Sequence, residues 1–414
     1  MNMFRSLKYR NFQLFFYGQS ISLMGTWMQK TAVSWLVYRL TGSAFLLGLV
    51  TFASLIPSLV LSPFAGSYIE KHNRFKIMMK SQVISMLQAG TLAIMIYFKY
   101  YSIPALIGLS LLQGMINSFD VICRQTLMMD MVGNKEDLPN AIALNSTMTN
   151  LARIIGPALA GLVLGTLGED FCFIGNFLSY IPVLYCLYRM DIRISKNTEP
   201  VNNVWYELKE GFHYLVHEKE LISLILLLSM NSLIVIPFNT LMPVFAKDIF
   251  SGTASTFSLF ESAIGLGAVI SAVYLANLKK FDHIIKIIII AGFMLGSSVM
   301  LLAGSNLIAV SVILLVVAGI GMMAQTSAIN TYIQTHAHPS MRSRSISYYI
   351  MGYQGLIPVG SLLAGVVAES IGVRLTVVFQ GAIGIVAILV FYLYWKRMKT
   401  NSIIKEEVYS KEQF

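Results

Sequence analysis

Charged side chains interrupt otherwise apolar runs at Lys30, Asp120, Arg124, Arg153 and Glu261. Their neighbours are patterned. In "NLARIIGPALAG" (150–161) an Arg stands one turn before a Gly-Pro step, and Ser146, Thr149, Asn150, Arg153 and Pro157 share one helical face. In "QGMINSFDVICRQ" (113–125) Gln113, Asn117, Asp120 and Arg124 share a side. Gln19, Ser22, Thr26, Gln29 and Lys30 cover about a third of a helix's circumference.

These residue types allow a limited chemistry. Arg stays charged at every relevant pH, so Arg153 is a fixed positive charge and not a proton carrier. It either neutralises an acid on a neighbouring helix, with Asp120 the candidate, or holds an anionic group. Asp120 and Glu261 are the acids set deepest in the apolar runs, which makes them the candidates to carry a proton. Glu261 is preferred, because Asp120 has Arg124 one turn away and Glu261 has no cation near it in sequence. Asn231, Asn239, Gln325, Asn330, Gln334, Tyr353 and Gln354 add polar groups to other runs. Each amide either makes an interhelical hydrogen bond or lines a wet central path. No nucleophile–base set accompanies them, no phosphate-binding GxxxxGK[ST] occurs, and "HAH" (336–338) is too little for a metal site. Enzymatic catalysis, ATP use, a metal and any cofactor are therefore not expected.

The elements that hold these residues follow from composition. Of 414 residues 56% are hydrophobic and 12% charged, where a soluble domain has roughly 25% charged. The chain resolves into twelve apolar runs, at 12–38, 44–66, 76–98, 103–129, 140–167, 170–189, 220–246, 254–278, 284–303, 306–334, 344–368 and 373–395. Each reaches the ~20 residues that span a bilayer as a helix. Lipid offers the backbone no hydrogen-bond partner, so a spanning run of this length must be helical. The fold class expected is all-α and polytopic.

Charge placement sets the orientation. The loops of one side carry only Arg39, Lys99, Lys247 and Arg374 of the 30 Lys and Arg, and Lys30, Arg124 and Arg153 lie within runs. The rest fall on the side of both termini. By the positive-inside rule both termini are cytoplasmic, as expected in a bacterial inner membrane. The net charge of +10 is thus a matter of topology, and no nucleic-acid partner is implied. Cys123, Cys172 and Cys186 all sit in apolar runs without a pairing pattern.

The chain also repeats itself. "TGSAFLLGL" (41–49) resembles "SGTASTFSL" (251–259), and the Ser146-to-Pro157 spacing recurs from Ser347 to Pro358. A duplicated six-helix unit follows: 1–189, then a linker at 190–219, then 220–396, with a tail at 397–414. In the linker Trp205, Leu208, Phe212, Leu215 and Val216 fall at helical spacing, which predicts an amphipathic helix on the membrane surface. Parallel repeats of this kind are a transporter plan, with the substrate between the halves.

The loop "GSYIEKHNRFK" (66–76) resembles the signature loop of the major facilitator superfamily. Gly66, Glu70, Lys71, Arg74 and Lys76 fit; Glu70 replaces the commoner Asp and Asn73 stands where Gly is usual. The resemblance implies a cytoplasmic latch in which Gly66 lets its helix approach a partner and Asp130 pairs with Arg74. "RIIGPALAG" (153–161) resembles the fifth-helix motif of antiporters in that superfamily, which gives Gly156, Pro157 and Gly161 a helix-packing role. Over nearly the whole chain the sequence resembles the branch of enterobactin-type siderophore exporters and macrolide efflux proteins. That implies alternating-access export of a small amphipathic molecule by a monomer, driven by protons. One departure stands out, since the branch often has an acid near Thr26 and this chain has none. An importer or lysophospholipid flippase of the same fold, or a non-transporting receptor or scaffold, are the alternatives. The expected cavity residues are Gln19, Thr26, Gln29, Lys30, Asn117, Asp120, Arg153, Asn231, Asn239, Glu261, Gln325 and Gln354.

The topology makes the first prediction. Single Cys residues placed at positions 41, 169, 251 and 304 are expected to react with an impermeant thiol reagent from outside intact cells. Those at 73, 197 and 342 are expected to react only after the membrane is opened. The opposite pattern in either half overturns the two-repeat arrangement.

Overall fold

The computed structural model describes residues 4–134, 136–192, 204–278 and 283–412, with the side chains at 63, 67, 70, 204–208, 276 and 401–412 outside the description. Among the described residues every regular element is helical. After a 3₁₀ turn at Arg5–Lys8 come α1 (Arg10–Thr41), α2 (Ala44–Lys71), α3 (Arg74–Tyr97), α4 (Ile103–Val132), α5 (Leu138–Thr166) and α6 (Glu169–Tyr188). The linker contains α7 (Val204–His217). The second half holds α8 (Lys219–Met230), α9 (Met242–Val244), α10 (Ala254–Ala276), α11 (Ile284–Gly304), α12 (Ile308–His336), α13 (Arg342–Gln354), α14 (Leu356–Ile371) and α15 (Val373–Glu412).

Among the described residues ten segments are long and apolar enough to cross a membrane. The continuous stretches Lys219–Ile249 and Arg342–Ile371 each count once among them. The remaining two crossings are α1 and α3, whose composition is too polar for that criterion. The reason is visible in their burial: Gln19, Ser22 and Gln29 of α1 and Ser81, Gln82, Ser85 and Gln88 of α3 all face the protein interior. The twelve crossings lie where the apolar runs predict them.

Two crossings are broken, and their prolines explain where. In the seventh, α8 passes through a π turn (Asn231–Val235) and a 3₁₀ turn (Ile236–Leu241) before α9 and a second π turn (Phe245–Ile249). Pro237 and Pro243 supply no N–H and crowd the preceding turn. In the eleventh, Pro358 cannot bond to the carbonyl one turn back, and the helix divides between Gln354 and Leu356. The segment from residue 397 is helical to Glu412, continuous with the last crossing. No Gly or Pro follows Trp395 to stop that helix.

Both termini lie at one end of the bundle. There the entry turn is clasped to the start of α5: Arg5 Nε and Lys8 Nζ meet the Asp137 carboxylate at 3.0 and 2.8 Å, and Tyr9 Oη donates to it at 2.8 Å. Hydrogen bonds from Lys8 and Tyr9 hold the Asp137 carboxyl below the usual carboxylate range. In the linker Glu210 of α7 pairs with Arg344 of α13 at 3.1 Å, and Leu215 is buried while Phe212 and Val216 stay exposed. Trp205 and Leu208 have side chains outside the description.

The halves meet along two seams, α2 with α14 and α5 with α10. In the first, a Cβ at Gly365 would lie 2.6 Å from Ala44 O and 3.2 Å from the Gly48 Cα. In the second, a Cβ at Gly161 would lie 2.6 Å from Ser258 Cβ, and one at Gly165 would lie 2.8 Å from Ser255 Oγ. Side chains are missing where backbones must touch, as in small-residue packing between membrane helices. Hydrogen bonds joining the halves gather at the end away from the termini. Tyr38 donates to Asp248, Ser43 Oγ and the Phe45 N–H donate to Glu369 at 3.2 Å, and Ser255 Oγ donates to Gly161 O at 3.1 Å. Glu369 therefore caps the first turn of a helix from the other half, where a negative charge is favoured. Toward the termini the tight contacts run only to mid-depth, at Gly355 against Leu59 and Gly265 against Ile154.

This asymmetry yields a prediction. Gly365→Leu should destabilise the folded protein by roughly 1–3 kcal/mol, as overpacking does, because the atoms it meets are backbone and cannot move aside. Gly66→Leu should leave stability unchanged, since a Cβ there meets nothing within 4 Å. Thermal unfolding in detergent compares the two, and equal melting temperatures would contradict the seam.

Candidate functional site

Helix α5 lies between α1 and α10. On one side Gly156 lets α1 approach, so that a Cβ there would lie 3.1 Å from Met24 O and 3.2 Å from the Met28 N. On the other side Gly161 meets Ser258, and Gly265 sits 3.5 Å, as a Cβ, from Arg153 O. Glu261 falls between Ser258 and Gly265 on that same face of α10. Trp27 and Lys30 project from the adjoining part of α1. Lys30 Nζ lies 4.8 Å from the centre of the Trp27 ring, and the Arg153 guanidinium carbon lies 5.8 Å from it. Both cations lie within electrostatic reach of Glu261. Lys30 is enclosed by protein yet has accessible surface, as a residue lining an internal opening does. Lys30, Arg153 and Glu261, taken from three apolar runs, thus form one cluster where the halves meet.

Asp120 belongs elsewhere. Its carboxylate pairs with Arg124 Nε at 2.9 Å and accepts from Gln82 Nε2 at 2.7 Å. This corrects the pairing of Arg153 with Asp120 considered from sequence. Arg124 is one turn along the same helix, whereas α4 packs on α2 and α3 and α5 packs on α1 and α10, so α4 and α5, though consecutive, make little contact. The pair borders a cavity of about 30 Å³ lined by Gln19, Thr26, Gln82, Gln113, Asn117 and Tyr180, room for one or two waters. Thr26 and Tyr180 hydroxyls are 3.3 Å apart.

The remaining amides divide. Gln29 donates to Gln88 Oε1 at 3.2 Å and accepts from Asn176 Nδ2 at 2.8 Å. Asn231, on the first π turn, donates to Gln325 Oε1 at 2.7 Å. These three bonds tie helices to one another. Asn239 Oδ1 is buried with no hydrogen-bond partner, and Asn117 and Gln354 are exposed.

At the terminal end Arg74 Nε meets Asp130 Oδ2 at 3.1 Å and its guanidinium donates to Thr126 O at 3.3 Å. Lys71 is exposed. Glu70 has its side chain outside the description. A Cβ at Gly66 would meet nothing within 4 Å, so the close approach expected of it from its loop is not seen. Gly156 and Gly161 do make close approaches and Pro157 is buried beside them. Sequence reasoning missed Trp27, Gln82, Gln88, Asn176 and Tyr180 in the core, and Tyr38, Asp248 and Glu369 at the far end. The spacing of Ser81, Gln82, Ser85 and Gln88 was a usable signal; the others carried none.

A family model described as a transmembrane secretion effector matches residues 2–413. Among curated relatives, the staphyloferrin A transporter of Staphylococcus aureus is 24% identical over 93% of this chain and 96% of its own. Macrolide efflux protein A of Streptococcus pyogenes is 22% identical over 89% and 92%. Among solved structures, the nucleoside transporter NupG superposes with a TM-score of 0.69 at 16% identity, covering 96% of this chain and 100% of that one. A bacterial homologue of the iron transporter ferroportin in its inward-facing state gives 0.70 at 15%, covering 92% and 98%.

The two charged sites predict separable effects. Asp120→Ala leaves Arg124 buried and unpaired and should cost about 3–5 kcal/mol, much of it recovered in Asp120→Ala/Arg124→Leu. Arg153→Leu shares no partner with that pair, so its effect on stability should add to that of Asp120→Ala. Melting temperatures of the single and double variants test this, and a strongly non-additive Arg153→Leu/Asp120→Ala would place the two residues in one network.

Proposed function

The chain belongs to the transmembrane secretion effector family of the major facilitator superfamily, in the branch of siderophore and macrolide efflux transporters, and we propose that it is a proton-coupled secondary exporter of a small amphipathic molecule. The halves 1–189 and 220–396 rock about the α2–α14 and α5–α10 seams, joined by 190–219, in a monomer set in a bacterial inner membrane with both termini cytoplasmic. The observation that carries this reading is the charged cluster: Trp27, Lys30 and Arg153 come from one half and Glu261 from the other. A scaffold has no need to hold charges in a membrane interior, where each is costly. The far-end hydrogen bonds together with the accessible Lys30 support a site open toward the termini, one of the two states alternating access requires. The loop charge bias supports the orientation, and the efflux relatives support the direction. In this reading Glu261, ahead of the Arg124-paired Asp120, carries the proton, and the Arg74–Asp130 pair supports a latch that steadies one state.

Inside-out vesicles carrying the protein test the proposal, with a labelled macrolide and a labelled siderophore as probes. An imposed pH gradient is expected to drive accumulation of at least one probe, and a proton ionophore to abolish it. Glu261→Gln or Asp120→Asn should remove the gradient's effect while exchange of the probe persists. Accumulation that ignores the ionophore overturns proton coupling. Absence of both gradient-driven movement and exchange for either probe favours a non-transporting role.

A further inference from the structure

We propose that the junction of α1, α5 and α10 is an anion site: Lys30 and Arg153 take the oxyanion group of an amphipathic substrate, Trp27 takes its apolar part, and Glu261 holds the oxyanion's place while the carrier is empty. The proposal rests on the transporter reading and deepens it by naming a substrate class.

Charge balance comes first. Asp120 and Arg124 neutralise each other at 2.9 Å within the first half. The central cluster is left with two cations, Lys30 and Arg153, against the single carboxylate of Glu261. A cationic substrate would add a third positive charge to this site. A neutral one would leave the surplus unanswered in surroundings of low dielectric, where an unmatched charge is most costly.

Pairing comes second. Neither Lys30 nor Arg153 makes a hydrogen bond or a close ion pair with a described residue. Their near neighbours are the face of Trp27, at 4.8 and 5.8 Å, and the field of Glu261. Elsewhere the molecule ties its interior cation directly, as Arg124 is tied. Cations held near but not in contact with their counter-charge are poised to accept another. Arg offers a planar fork of N–H donors that matches a carboxylate or sulfonate edge. Lys30 adds a compact charge reaching the same space from α1 and is accessible there.

Rigidity comes third. Gly156 fixes α5 on α1 and Gly265 fixes α10 against Arg153, so the spacing of the groups is set by backbone contacts. Glu261 comes from the other half, so an anion that replaces it exchanges an inter-half attraction for a ligand contact. Occupancy is thereby felt by both halves.

Equilibrium binding to the full-length protein in detergent tests this, with naphthoate as the anionic probe and naphthylmethylammonium as its cationic counterpart. Naphthoate is expected to bind and the ammonium not to displace it. Glu261→Gln, which removes the competing carboxylate, should tighten naphthoate about tenfold, a gain that misfolding does not produce. Lys30→Gln and Arg153→Gln should each weaken it about tenfold, with Arg153→Lys weakening it less. Unchanged or weaker binding in Glu261→Gln overturns the proposal, and so does equal competition by the ammonium or a lack of naphthoate binding to both wild type and Glu261→Gln. The measurement needs no gradient and no direction. Its failure therefore leaves the exporter reading standing, while naphthoate binding without gradient-driven transport faults the coupling alone.

Discussion

Two missing side chains on α5 govern the centre of the molecule. Gly156 admits the backbone of α1 and Gly161 admits α10, so one helix touches a neighbour in its own half and a neighbour in the other. Everything at this junction is measured from these contacts. They put Arg153 near Trp27 and Lys30, and they bring Glu261 across the boundary between the halves. A larger residue at Gly156 would meet the backbone of α1, and one at Gly161 would meet Ser258 of α10. The second seam repeats the device with Gly48 and Gly365, as expected of a duplicated unit.

The second ordering principle is the cost of polar groups in lipid. Interior amides are tied across helices, Gln29 to Gln88 and Asn176, and Asn231 to Gln325. These bonds draw polar faces inward and explain why α1 and α3 are less apolar than the other crossings. The interior that results is of two kinds. One is a small polar pocket within the first half around Asp120. The other is the open junction around Lys30, with its charges left apart.

Helices were legible in the sequence because a bilayer enforces a length and a composition, and each apolar run became a crossing. Local pairings were legible as well: Asp120 and Arg124 lie one turn apart, and Arg74 had an acid at the adjoining helix end. Packing order was not. Helices α4 and α5 follow each other in the chain yet pack on different partners, so a list of polar faces could not show that Arg153 approaches Glu261 and not Asp120. Nor could it show the far-end contacts of Tyr38 and Glu369, which depend on how the two halves meet. The glycines of α5 announced close packing without naming the partner, and Gly66 announced it in a place where a Cβ would meet nothing within 4 Å.

The closure at Tyr38–Asp248 and Ser43–Glu369 has a pharmacological consequence. A blocker offered to the face opposite the termini meets helix ends already bonded to one another. Small inhibitors have to arrive from the terminal face or partition laterally out of the bilayer. A large binder such as an antibody fragment has a different opportunity on the closed face: by clasping α2 and α14 together beside Glu369 it would arrest the carrier without entering the substrate path.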